Sequence, residues 1–192
     1  MRFFKIFSLL TVLLVIFYIV SFATDGSVYN DVVRLHIIAD SDSQEDQAIK
    51  LSVRDMVLEK YSAALAKYTN KTEAISAAKS LLPNIENDVN EYLKTCSDYT
   101  AKVTVEDSYF PTKTYGEYSL PRGEYTALCI RLGKAEGENY WCVLFPPLCL
   151  GASSENDKDL FKSCGLDEEE YNLMRGEKPV YKLKFRLLEL FS

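Results

Sequence analysis

The alternation of hydrophobic and polar positions divides the chain into a small set of elements. Val32 to Ala39 (VVRLHIIA) reads as a strand with Val33, Leu35 and Ile37 on one face. Asp40-Ser41-Asp42-Ser43 stops it, and Ser43 with Asp46 three residues later forms a helix-capping arrangement. Asp40, Asp42, Glu45 and Asp46 put negative charge near that helix start, where the dipole favours it. One long helix is expected from about Gln44 to Ala66, with Ile49, Val53, Met56 and Val57 as its apolar stripe. A second is expected from about Lys71 to Thr95, where Ile75, Ala78, Leu82, Ile85, Val89 and Tyr92 recur at three- and four-residue steps. Pro83 is expected to kink or divide it. A short alternating strand, Lys102 to Glu106, precedes a loop from Tyr109 to Pro121.

The stretch from Gly123 to Cys149 carries the strongest pattern. Tyr125 to Leu132 alternates, with Leu128, Ile130 and Leu132 on one face, and Tyr140 to Phe145 puts Trp141, Val143 and Phe145 on one side. A polar, glycine-containing connection, Gly133 to Glu138, separates the runs, so the reading is a β-hairpin with a longer loop. Pairing Leu132 with Asn139 sets Ile130 opposite Trp141 and Leu128 opposite Val143, which places all six large apolar residues on one face. Pro146 and Pro147 end the ladder, having no N–H to donate. Ser153 to Gly176 is acidic and polar, with a weak helix around Asp167 to Met174. Val180 to Leu188 closes the pattern as a half-buried strand: Tyr181, Leu183, Phe185 and Leu187 alternate with Lys182, Lys184 and Arg186. The order of elements implies an α+β fold, a small, mostly antiparallel sheet with two long helices packed on it.

That pattern stands behind an N-terminal apolar segment. Arg2 and Lys5 flank the run Ile6 to Phe22, which ends in Ser21-Phe22-Ala23, as in a secretory signal peptide. An uncleaved anchor is the alternative, although the 17 residues of the run would span roughly 25 Å against a hydrocarbon core of roughly 30 Å. Either way residues 24–192 are expected outside the cytoplasm, and residues 6–22 touch the membrane if they are retained. The resulting division is 1–23 signal or anchor, 24–31 tether, and 32–192 a single domain, within which 151–179 is acidic and variable.

Charge and cysteine usage remove several functions. Net charge is −6, and without the first 23 residues 20 basic face 28 acidic residues. No Lys/Arg cluster offers phosphates a footprint, which excludes nucleic-acid binding. The five cysteines, Cys96, Cys129, Cys142, Cys149 and Cys164, include no C-x-x-C pair. In the hairpin register Cys129 faces Cys142, so a cross-strand disulfide competes with the reading of both as small buried hydrophobes.

Catalytic patterns are missing. His36 is the single histidine and sits within a strand, so a structural role is its default. A Cys–His pair would have to join it to Cys142 or Cys149. No G-x-S-x-G, G-x-G-x-x-G or P-loop occurs, and Asp40 and Asp42 read as capping residues before they read as metal ligands. No enzyme, metal or cofactor is therefore expected. What remains is Tyr109-Phe110-Pro111-Thr112-Lys113-Thr114-Tyr115-Gly116-Glu117-Tyr118, with four aromatic rings in ten residues. Such rings either fold back to complete the core or supply contact area to a partner.

The blocks VRLHIIADSDSQEDQAIKLSVRD (33–55), YFPTKTYG (109–116), LPRGEYTAL (120–128) and NYWCVLFPPLC (139–149) resemble the stage II sporulation protein R family, in the right order and behind an export signal. The resemblance implies a protein exported into the space between forespore and mother-cell membranes. There it would trigger a membrane-embedded aspartic protease in the mother-cell membrane that processes the precursor of sigma-E. It would act as a signal without catalysis of its own. Candidate partner contacts are Tyr109, Phe110, Lys113, Tyr115, Trp141, Pro146 and Pro147. The rival readings are an exported cell-wall hydrolase using His36 with Asp40 or Asp42, and a structural envelope protein.

Overall fold

Val33 to Ile37 are five consecutive buried residues, which is possible for a strand only when both of its faces are covered. The structure, a computed structural model, describes residues 2–22, 32–146, 157–166 and 168–176. The chain falls into two units. The first contributes helix α1 (Arg2–Phe22). Among the described residues no helix is long and apolar enough to cross a membrane. The second unit holds β1 (Val33–Ile38), α2 (Gln44–Leu65), α3 (Lys71–Leu93), β2 (Ala101–Phe110), β3 (Lys113–Tyr115), β4 (Tyr118–Leu120), β5 (Gly123–Leu132), β6 (Asn139–Phe145), α4 (Asp157–Ser163) and α5 (Glu168–Met174). The α+β class read from the sequence is the class observed.

The strand order is β2-β5-β1-β6, so the expected hairpin does not form: β1 lies between its two strands. β1 runs parallel to β5, with Leu35 beside Leu128 and Ile37 beside Ile130. It runs antiparallel to β6, with Leu35 beside Cys142 and His36 beside Trp141. The six large residues are consequently split. Leu128, Ile130 and Leu132 pack in the cluster formed by the long helices, whereas Val143 and Phe145 belong to a second cluster on the other face and Trp141 packs against it. The physical reason lies in β1, whose apolar residues on both faces gain more burial at the centre of a sheet than at an edge.

The Gly133–Glu138 connection therefore crosses the end of β1. Asp40 and Asp42 hold it there: Lys134 N donates to Asp40 Oδ1 (2.6 Å), Glu138 N to Asp42 Oδ1 (2.7 Å) and Gly137 N to the Ala39 carbonyl (3.0 Å). Gly133 has φ +54°, and a Cβ there would lie 2.0 Å from Asp40 Oδ1, so the crossing needs glycine. Both aspartates thus clamp a loop. The helix cap is made by Ser43, which accepts from Asp46 N.

α2 and α3 lie close to their expected limits and cover one sheet face through Ile49, Val53, Val57, Ala78, Ile85 and Val89. Pro83 does not divide α3, which runs through it without interruption. β2 is twice the expected length, and the expected loop after it contains the β3–β4 hairpin. Its two-residue turn starts at Gly116 (φ +59°), the position where a type II′ turn takes glycine. The strand expected at Val180–Leu188 lies outside the described residues. Cys129 is a free thiol and Cys142 is disulfide-bonded, so the two do not pair with each other.

Pro83 is exposed and costs α3 one backbone hydrogen bond. Pro83→Ala should therefore raise stability, by about 1–3 kcal/mol, read as a higher urea midpoint. A lower midpoint would show that the proline shapes the helix for packing.

Candidate functional site: the sheet face opposite the long helices

Along β1, Leu35 and Ile37 point to the long helices, so Arg34 and His36 point the other way. A charged and a polar side chain thus sit under a sheet face, and the neighbouring strands supply what each requires. Arg34 is fully buried. Its Nε donates to the Cys142 carbonyl (2.9 Å) and its Nη2 to Tyr115 Oη (2.7 Å). Its guanidinium carbon lies 4.3 Å from the centroid of Phe110, 4.8 Å from Tyr125 and 5.6 Å from Tyr115. Ring faces compensate a desolvated cation through their quadrupoles. Burial nonetheless pulls the Arg34 pKa below the usual arginine value, with Tyr115 and Tyr125 opposing the fall. Among the described residues Nη1 has no hydrogen-bond partner.

His36 lies between Ser108 and Asn139. Nε2 is 2.7 Å from Asn139 Oδ1, so it carries the proton, and Nδ1 faces Ser108 Oγ at 3.2 Å as acceptor. The ring stacks on Trp141 with centroids 3.9 Å apart. Cys129 Sγ is 3.9 Å from Nδ1. This is the geometry of a Cys–His–Asn set without its electrostatics. Burial pushes the Cys129 thiol up to about 11 and pulls the imidazole below its ordinary value, so both stay neutral at pH 7. Cys142 does not join the histidine, because it faces the long helices and is oxidised; Cys149 lies outside the described residues. Asp40 and Asp42 bind the β5–β6 connection instead of His36. Beside the histidine, Glu106 pairs with Arg131, which holds its carboxyl below the usual range.

Several aromatics singled out in the sequence meet on this face. Phe110 and Trp141 have centroids 4.7 Å apart, and Tyr115 Oη donates to the Trp141 carbonyl (3.1 Å), so the β3–β4 hairpin is tied to β6. Their exposure separates them. Phe110 and Pro146 are buried, while Lys113, Tyr115 and Trp141 are half-buried. Tyr109 is 58% exposed and, one residue along β2 from Phe110, projects from the opposite face. Pro147 lies outside the described residues. Sequence reading missed Arg34, Ser108, Tyr125 and Asn139. The available signal was a charged residue and a histidine alternating inside an otherwise apolar strand, a pattern that demands partners on both sides.

Two measurements test this arrangement. Arg34→Ala should cost about 3 kcal/mol or more, by leaving a cavity and unpaired polar groups, whereas Arg34→Met should retain most of the stability because ring packing replaces the desolvated charge. Equal losses in urea would show that the guanidinium hydrogen bonds hold the hairpin. Because the folded-state pKa of His36 is depressed, its contribution is complete above about pH 6.5 and declines as pH falls toward that lower value. The chain has one histidine, so the slope of thermal stability between about pH 7 and 5.5 should vanish in His36→Gln. A slope that survives would show that it arises from groups other than the imidazole.

Known proteins place this geometry in a family. A family model described as stage II sporulation protein R matches residues 29–155, which contain the whole sheet, both long helices and the aromatic face. A stage II sporulation protein R of Bacillus subtilis (strain 168) is 41% identical over 118 residues, covering 61% of this chain and 53% of that protein. The chain thus matches about half the length of this relative. No solved structure matches. The chain belongs to the stage II sporulation protein R family, and its role is in sporulation.

Proposed function

We propose that this domain is an exported signal of endospore formation, which acts in the space between forespore and mother-cell membranes. It switches on the membrane-embedded aspartic protease that processes the sigma-E precursor. The observation that carries this reading is the family match across residues 29–155, which is the part of the chain that folds into the sheet domain. Two further features support it. Arg2 and Lys5 lie in the first turns of α1, ahead of its apolar run Ile6 to Phe22, as an export segment requires. The side chains nearest to a catalytic set, Cys129 and His36, are held neutral by burial.

Activation without catalysis is a matter of differential affinity: the domain must bind the active arrangement of the protease more tightly than the inactive one. The contacts for this are Lys113, Tyr115 and Trp141, which retain exposed area around the buried Phe110, and, from the opposite side of the sheet, the exposed Tyr109; Pro146 is buried.

The test is reconstitution in a non-sporulating bacterium that expresses the protease and the sigma-factor precursor, with and without this chain, scored by precursor cleavage. Cleavage should require the chain and survive His36→Ala. Loss of cleavage in His36→Ala with folded protein at normal levels would favour a hydrolase. Tyr109→Ala should abolish cleavage while leaving the amount of folded protein unchanged. Phe110→Ala should instead lower folded protein, since truncating a buried phenylalanine costs about 3–5 kcal/mol.

A further inference from the structure

The outer edge of β2 is protected along one half and open along the other. In the β2–β5 register Ala101 faces Leu132 and Tyr109 faces Glu124, and Gly133 N donates to the Thr100 carbonyl. Even-numbered residues of β2 therefore turn their backbone groups toward β5, and odd-numbered ones turn theirs outward. At the helical half, side chains of α3 take the place of a neighbouring strand. Asn90 donates to the Ala101 carbonyl (3.2 Å) and accepts from Ala101 N (2.8 Å), and Glu86 Oε2 accepts from Val103 N (2.9 Å). This is how a fold seals an edge against unwanted pairing. Beyond Val103 the sealing stops. No hydrogen bond among the described residues engages the outward backbone groups of Val105, Asp107 or Tyr109.

The open half has a distinct chemistry. The stretch Val105 to Tyr109 (VEDSY) contains neither the proline nor the lysine with which exposed edges are commonly blocked. On the face that carries Tyr109, Asp107 lies beside Thr126 and Tyr109 beside Glu124. Asp107, Tyr109 and Glu124 are all exposed. Among the described residues neither acid has an ion-pair partner. An aromatic ring with two uncompensated carboxylates suits a lysine or arginine side chain. A second copy of this edge would bring like charges together.

We infer that β2 docks an extended, basic segment of a partner protein by strand addition. Backbone groups of Val105, Asp107 and Tyr109 pair with the incoming strand, and its alternate Lys or Arg side chains lie over Tyr109 between Asp107 and Glu124. The inference rests on the proposed signalling role and specifies its contact. The segment belongs to a partner rather than to the chain's own alternating basic stretch at 182–186, because the family match includes the edge and ends at residue 155.

Two experiments keep this inference separate from the functional reading. In the cleavage reconstitution, Asp107→Pro removes an outward N–H without touching the β2–β5 ladder, and Asp107→Lys/Glu124→Lys reverses the charge. Each should lower cleavage at least tenfold at normal levels of folded protein. Unchanged cleavage in both would overturn the docking edge while leaving the signalling role intact. Should wild-type chain give no cleavage, the functional reading fails, and the edge is judged by hydrogen exchange on the full-length protein with a six-residue peptide of alternating lysine and valine. The peptide should slow exchange at the amides of residues 105, 107 and 109, and the charge-reversed double variant should lose this protection. No slowing overturns the inference. So does protection already present without peptide, whether it is released by Lys184→Pro, which identifies the chain's own tail, or rises with protein concentration, which identifies a second copy.

Discussion

The domain depends on burying β1 on both faces while two of its side chains carry polar chemistry. Leu35 and Ile37 bind the sheet to the long helices, and this is ordinary apolar burial. Arg34 and His36 bind it to everything on the other side. A buried guanidinium cannot be left in a bare apolar setting, so its neighbours are constrained: a carbonyl from β6, a hydroxyl from β3, and ring faces from β2, β3 and β5. The β3–β4 hairpin is held by this cation through Tyr115, and by Tyr118 and Leu120, which are buried in the second cluster. Among the described residues Nη1 lacks a hydrogen-bond partner, so ring faces supply much of the compensation.

The same constraint brings a histidine, a cysteine, a serine and an asparagine together on one sheet face. A cysteine thiolate is favoured by neighbouring positive charge and partial exposure, and disfavoured by burial among apolar groups. Here the thiol and the imidazole are buried as packing elements beneath Trp141, and desolvation drives both toward neutrality. A polar cluster of this kind fixes strands through its hydrogen bonds and ring stacking.

The proposed signalling role calls for a surface that is rigid and available. The aromatic face supplies the rigidity, since most of its rings are sealed against Arg34 and His36. Availability lies at the end of β2, where α3 no longer covers the edge and Tyr109 emerges on the other side of the sheet from Phe110. Adjacent residues of one strand therefore serve different ends, one in the core and one at the surface. Side-chain alternation along an extended backbone enforces that division.

Much was legible in the chain itself. Capping by Ser43, the limits of both long helices and the family resemblance are local properties, set by periodicity and motif. The sequence also marked Tyr109, Phe110, Tyr115 and Trp141 as unusual, but not which would be exposed. Strand neighbours were illegible for a physical reason. Two alternating runs joined by six residues satisfy the rules of a hairpin, yet a distant strand gained more burial by inserting between them, which no local pattern encodes. Continuous burial from Val32 to Ile37 was the one trace of that outcome in the sequence, written as an apolar run interrupted by Arg34 and His36. The sequence by itself thus determined which segments become helix and strand and what kind of protein they build. Tertiary structure alone decided which faces meet and which edge stays open, because those depend on competition for burial between parts of the chain far apart.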